Sequence, residues 1–218
     1  VKGASSIPMA KAMDDCLVAY GMNGEAARPQ NGFPLRLLVP GFEGIFNTKY
    51  LRRIKVVDRY YMTYNDYGHL NRRDDEVGAA LGMLIGPKSV ITFPSGGQQL
   101  PDRGFYEVSG LAWSGGGAIS RVEVSTDGGR RWADAEIRGT AHRMSHTRFS
   151  YQWTWDGQET ELLSRCTDET GQVQPTRAQV AEFFGERADD ESFRVRGMDN
   201  SVQPWRIASD GSVHNAIT

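Results

Sequence analysis

Four cations fall within one short stretch of the sequence, FPLRLLVPGFEGIFNTKYLRRI, residues 33–54. Arg36 stands among Leu35, Leu37 and Leu38, an apolar run that reads as a buried strand. A guanidinium drawn out of water needs a partner, because a buried unpaired charge is costly. A phosphate or carboxylate gripped bidentately satisfies it, and so does a salt bridge within the chain; the residues alone leave both open. Asn47, Thr48 and Lys49 follow with amide, hydroxyl and ammonium donors. Glycine and proline at NGFP, VPG and FEG let the backbone turn sharply and approach a ligand closely. The chemistry on offer is anion binding. Arg53 alternates with Lys55 along RRIKVV, a pattern that predicts a strand with those two cations facing solvent.

Other candidate chemistry is weaker. His142 and His146 are four apart, a spacing that suits a metal only on a helix, and GTAHRMSHTRFS does not read as one. His69 and His214 are isolated, and no metal-ligand set is expected within the chain. Cys16 and Cys166 fit neither a disulfide framework nor a zinc spacing and read as free thiols. No P-loop, nucleophile elbow or paired-carboxylate motif is present.

The elements that must position these residues change character near Pro87. Before it, Met9, Met13, Leu17 and Tyr20 recur at helical spacing between Ser6 and Gly24 and predict a helix. A Pro/Gly-rich loop follows, then the strand LRLLV, the Pro40-Gly41 turn and the strand RRIKVV; Asp66 to Gly86 reads as a surface excursion. After Pro87, KSVITFP, FYEVSGLAWSG, ISRVEVST, RRWADAEI, FSYQWTWDG and ELLSRCTDETG read as strands, with Asp127-Gly128-Gly129 a hairpin turn. Six or seven short strands over about 100 residues predict an immunoglobulin-like sandwich. Phe149, Tyr151, Trp153 and Trp155 share one strand face; such a stripe fills a core more often than it binds a sugar or a base. The fold class is mainly β, with an α+β first part.

With 25 Lys plus Arg against 27 Asp plus Glu the net charge is −2, which argues against a general nucleic-acid binder. No apolar run approaches the roughly 18–20 residues of a membrane helix. Val1-Lys2-Gly3-Ala4 reads like the middle of a longer protein.

The order GASSIPMAKAM, AYGMNGE, NGFPLRLLVPGFEG, NTKYLRRI, GLAWSGGG, RVEVSTDGGRRW and VQP resembles the sulfite oxidase family of molybdopterin oxidoreductases along essentially the whole chain. NTKYLRRIKVVDRYYMT looks most like the molybdenum subunit of the bacterial sulfane dehydrogenases within it. The resemblance implies that residues 1–86 are the later part of a molybdopterin-binding domain. It implies that residues 87–218 are an Ig-like dimerisation domain whose C-terminal tail returns to the active site. It places Arg36 at the phosphate end of the pterin, with Asn31 where the family usually carries a histidine. It makes Asn47, Thr48 and Lys49 cofactor contacts. Tyr67 matches the family's active-site tyrosine, with Tyr61 and Tyr64 as competitors, and Arg196 lines the oxyanion substrate pocket near Trp205. The molybdenum's thiolate ligand is expected outside this chain, on a missing N-terminal segment, because Cys16 and Cys166 stand in other motifs. A homodimer, a cytochrome c electron acceptor and export to the periplasm are implied in the same way. The expected activity is oxidation of sulfite or sulfane sulfur. The alternatives are a nitrate-reductase-type member of the family and a non-catalytic Ig-like dimerisation or partner-binding module.

Overall fold

The computed structural model describes residues 5–59, 61, 84–184 and 199–216. They divide into two compact units, 1–85 and 86–218.

Among its described residues the first unit has little regular structure. Helix α1 (Met9–Asp14) starts after the extended Pro8. Next come β1 (Leu17–Ala19), a hairpin of β2 (Gly21–Met22) with β3 (Glu25–Ala26), a 3-10 turn at Pro29–Asn31, β4 (Arg36–Leu38) and a 3-10 turn at Gly44–Phe46. Val39, Phe42 and Phe46 form a small core, the two rings meeting edge to face at 5.5 Å. The helix is shorter than the period of Met9, Met13, Leu17 and Tyr20 predicts. It ends before Leu17, because Leu17–Ala19 pairs antiparallel with Leu38–Arg36. Met9 and Met13 are 52% and 77% exposed, so the helical period does not mark a buried stripe among the described residues. RRIKVV forms no strand: Ile54 and Val56 are 66% and 77% exposed, and alternation without a pairing partner leaves the chain irregular.

The second unit is an immunoglobulin-like β-sandwich. One sheet has the order β5-β6-β10-β9, built from Lys88–Phe93, Gly104–Trp113, Thr147–Trp155 and Glu136–Arg138. The other runs β13-β12-β11-β7-β8, from Val213–Asn215, Trp205–Ile207, Thr160–Asp168, Ile119–Ser125 and Ala133–Asp134. Helix α2 (Arg177–Phe184) follows β11. Ile91, Val108 and Phe149 from the first sheet share one core with Val122, Leu162 and Ile207 from the second. The aromatic stripe belongs to that core: Phe149, Trp153 and Trp155 are buried, and Trp153 and Trp155 lie 6.4 Å apart. Gly110 stands directly opposite Phe149, and a Cβ there would overlap both the Phe149 ring and the Val90 carbonyl oxygen. The glycine makes room for the ring. Gly128 and Gly129, at φ +72° and +85°, turn the chain from β7 to β8.

A buried polar group joins the start of this unit to its tail. Ser89 donates to Gln174 Oε1 through its hydroxyl at 2.7 Å and through its amide at 2.9 Å, and its Oγ lies 2.9 Å from Ser164 Oγ. Gln174 Nε2 donates to the Ser201 carbonyl at 3.2 Å. Beside it, Arg177 Nη1 meets Asp199 Oδ2 at 3.0 Å, the Ser201 amide donates to Asp199 Oδ1, and Lys88 donates to the Asp199 carbonyl. Among the described residues no helix is long and apolar enough to cross a membrane.

Burial works to raise the Asp199 carboxyl, but the hydrogen bonds from Ser201 and the charges of Lys88 and Arg177 hold it below its ordinary value. A carboxylate depressed in the folded state stabilises the protein above the unfolded carboxylate pKa, about 3.9, and that contribution is lost as pH falls through the lower folded value. Asp199→Asn is therefore expected to be less stable than wild type above about pH 4 and to approach it below. Denaturant midpoints measured across that range check the convergence; a gap independent of pH refutes it.

Candidate functional site

Three of the residues singled out from the sequence meet at the Pro29–Asn31 turn. The turn closes with the Asn31 amide on the Arg28 carbonyl at 2.9 Å and the Gly32 amide on the Pro29 carbonyl at 3.0 Å. Gly32, at φ +108°, then carries the chain toward β4. Arg36 opens β4 and donates from Nη1 to the main-chain carbonyl of Asn31 at 3.2 Å. Lys49 donates from Nζ to the neighbouring carbonyl, that of Gln30, at 2.9 Å. Two cations thus converge on two successive carbonyls of one turn.

Register brings Lys49 there. The Leu37 amide donates to the Thr48 carbonyl and the Leu51 amide to the Leu35 carbonyl, each at 2.8 Å, so residues 48–51 run alongside β4. Asn47 fixes the start of that run: its Oδ1 accepts from the Val39 amide at 2.8 Å and its Nδ2 donates to the Glu43 carbonyl at 3.2 Å. The Asn47 amide group therefore ties the Val39–Asn47 loop. Thr48 enters through its main chain, and the Asn31 contribution that reaches Arg36 is a carbonyl rather than the side-chain amide.

Among the described residues no carboxylate pairs with Arg36 or Lys49, so the salt-bridge alternative is not realised there. Arg36 Nε is buried and has no hydrogen-bond partner. A guanidinium carries five N–H donors, and the turn accepts from Nη1. The strand around Arg36 is less enclosed than its leucines suggest: Leu35 and Leu37 are half-buried, and Leu38 faces solvent. The same turn borders an open depression of about 270 Å³ whose walls include Glu25, Arg28, Gln30 and Asn31. Arg52 and Arg53 are exposed. What this arrangement can do chemically is hold an oxyanion, with the donors of Arg36 and Lys49 that the turn leaves over.

Tyr67, Tyr64 and Arg196 lie outside the described residues. Tyr61 is exposed, its main chain bonded to the Ser6 hydroxyl at 3.0 and 3.3 Å, and Arg59 Nε donates to its hydroxyl at 3.4 Å. Cys16 and Cys166 are free thiols. Burial, with Asp15 beside it, pushes Cys16 up, and burial pushes Cys166 up to about 12. His146 packs edge to face on Trp113 at 5.1 Å. Among the described residues no three metal-ligating side chains cluster.

The chain matches the oxidoreductase molybdopterin-binding domain over residues 2–65 and the Mo-co oxidoreductase dimerisation domain over residues 83–196. It belongs to the sulfite oxidase family. Mitochondrial sulfite oxidase of Rattus norvegicus is 34% identical over 197 residues, covering 78% of this chain and 34% of that protein. The NADH nitrate reductase of Cichorium intybus is 32% identical over 209 residues, covering 81% of this chain and 22% of that protein. The crystal structure of the sulfane dehydrogenase SoxCD from Paracoccus pantotrophus superposes with a TM-score of 0.88 at 38% identity, covering 98% of this chain and 54% of that one. The chain thus spans about a third or less of the length of these two curated relatives.

Sequence reasoning missed the acceptors. Gln30 and Asn31 act through main-chain carbonyls, which any residue type offers, and the usable signal was the turn PQNG closing on a glycine. Asn47→Ala removes two hydrogen bonds and leaves the buried Val39 amide unpaired, which costs on the order of 1–3 kcal/mol. The expected result is a lower denaturant midpoint for the first unit; an unchanged midpoint removes Asn47 from this positioning role.

Proposed function

We propose that this chain is part of a molybdenum-dependent oxidoreductase of the sulfite oxidase family that oxidises sulfite or sulfane-type sulfur. The observation that carries the cofactor reading is the buried, unpartnered Nε of Arg36, with Lys49 held on the neighbouring carbonyl of the same turn. That donor set suits the terminal phosphate of molybdopterin: Arg36 supplies a planar fork and Lys49 a point charge. When bound, the cofactor supplies oxygen-atom transfer to the substrate and the two-electron redox change; the protein supplies binding and electrostatics. The thiolate that holds the molybdenum comes from outside these residues, since Cys16 and Cys166 stand in motifs other than the family's ligand motif.

The two cations neutralise the phosphate and fix its position, while Asn47 and the 48–51 run keep Lys49 in register. Thr48 and Asn31 stand beside them as neutral contacts. Arg196, followed by Gly197, is the residue for the anionic substrate, and Tyr67 orients that substrate or shares its proton. The Ig-like unit mediates homodimer contact, a cytochrome c accepts the electrons, and the protein works in the periplasm. A sulfur substrate is supported by the matches to sulfite oxidase and to the sulfane dehydrogenase SoxCD.

Arg36→Met should reduce molybdenum and pterin content in the full-length protein by about tenfold, the worth of one charge-assisted hydrogen bond or more. Unchanged content sinks the phosphate assignment, and a wild-type protein without molybdenum favours a non-catalytic module. Steady-state assays of the full-length protein with sulfite, thiosulfate and nitrate test the substrate. Turnover of a sulfur compound is expected; turnover of nitrate alone overturns the sulfur reading in favour of the nitrate reductase branch.

A further inference from the structure

Lys49 is fixed at both ends by the Pro29–Gly32 turn. At its head, Nζ donates to the Gln30 carbonyl. At its stem, a Cβ built on Gly32 would lie 3.0 Å from Lys49 Cβ, 3.1 Å from Cα and 3.2 Å from Cγ. Ordinary van der Waals contact begins at about 3.4–4 Å, so any side chain at residue 32 must push the lysine away. Gly32 also sits at φ +108°, a backbone conformation that glycine alone adopts without cost. A free lysine spreads its ammonium over many rotamers of a flexible stem. Here the missing side chain of Gly32 lets that stem close onto the turn, and the next carbonyl, that of Asn31, receives Arg36.

We infer that Gly32 is a positioning residue of the anion site: its lack of a side chain seats Lys49 against the Pro29–Gly32 turn, so that Lys49 and Arg36 present their remaining donors to one phosphate monoester of the pterin cofactor. The inference rests on the phosphate reading above. Gly32 touches no ligand and acts through Lys49. Its effect on cofactor retention must therefore vanish when the Lys49 ammonium is already gone, which a role in backbone stability alone does not require.

The test measures molybdenum and pterin per chain in full-length protein purified without added phosphate, with thermal midpoints as the folding control. Gly32→Ala and Lys49→Met are each expected to lower content by about tenfold, and the double variant by no more than Lys49→Met alone. Gly24→Ala is the strain control. Gly24 has φ +82° and a Cβ there meets nothing within 4 Å, so this variant is expected to lose thermal stability and keep its cofactor. Wild-type content in Gly32→Ala, an additive loss in the double variant, or an equal loss in Gly24→Ala overturns the inference. If Gly32→Ala yields no soluble protein, adding Lys49→Gly removes two of the three crowding atoms and is expected to restore it; failure to restore overturns the inference. Retained content in Arg36→Met instead overturns the phosphate reading, so the two failures are told apart.

Discussion

A guanidinium held partly out of water on a three-residue strand is the constraint around which the first unit is arranged. Arg36 pairs with no carboxylate among the described residues, and it carries more donors than its surroundings accept. Such a group is tolerated when neighbouring main-chain carbonyls take some donors and an incoming anion takes others. The Pro29–Asn31 turn supplies the carbonyls. β1 holds β4 from one side and residues 48–51 hold it from the other, which fixes the backbone that carries Arg36. Among the described residues of this unit, short strands and two 3-10 turns bring these loops close to one another.

The two units hold themselves together by different means. The sandwich relies on area: Phe149, Trp153 and Trp155 with Val108, Val122 and Leu162 fill the space between two sheets, and burying side chains of this size contributes about 2–3 kcal/mol each. Among its described residues the first unit has a small core cluster, Val39, Phe42 and Phe46, with half-buried side chains such as Ile7 and Ile45 packed on it. It depends instead on side chains that satisfy main-chain groups, as Asn47 does at Val39 and Glu43. The exposed Met13, Ile54 and Val56 belong to that thin-cored unit.

Much of the sandwich was legible in the sequence because its periods report packing directly. FSYQWTW alternates because one face is core, and Asp127-Gly128-Gly129 marks a turn that glycine conformations permit. The first unit was less legible. Among the described residues, Met9 and Met13 keep a helical period with no core to face, and RRIKVV keeps a strand period with no partner strand. Periodicity predicts an element only where a surface exists for it to cover. At the site, Arg36 and Lys49 were readable from charge in an apolar context. Asn47 was readable as a polar residue but not as a loop tie, and the acceptors at Gln30 and Asn31 were invisible because carbonyls have no sequence. Tyr67 and Arg196 rest on the family resemblance.

The trio of Ser89, Ser164 and Gln174 has a bearing on how this family can drift. The three side chains satisfy one another inside the sandwich, where water does not reach. Changing one alone strands its partners, at about 1–3 kcal/mol for each unpaired buried group. Replacing all three by apolar residues gives no escape either, because Gln174 also accepts from the Ser89 amide and donates to the Ser201 carbonyl, main-chain groups that no substitution removes. Lineages of this fold should therefore inherit the three positions as a unit, so that their joint identity serves as a marker of descent more durable than any of the exposed charges around them.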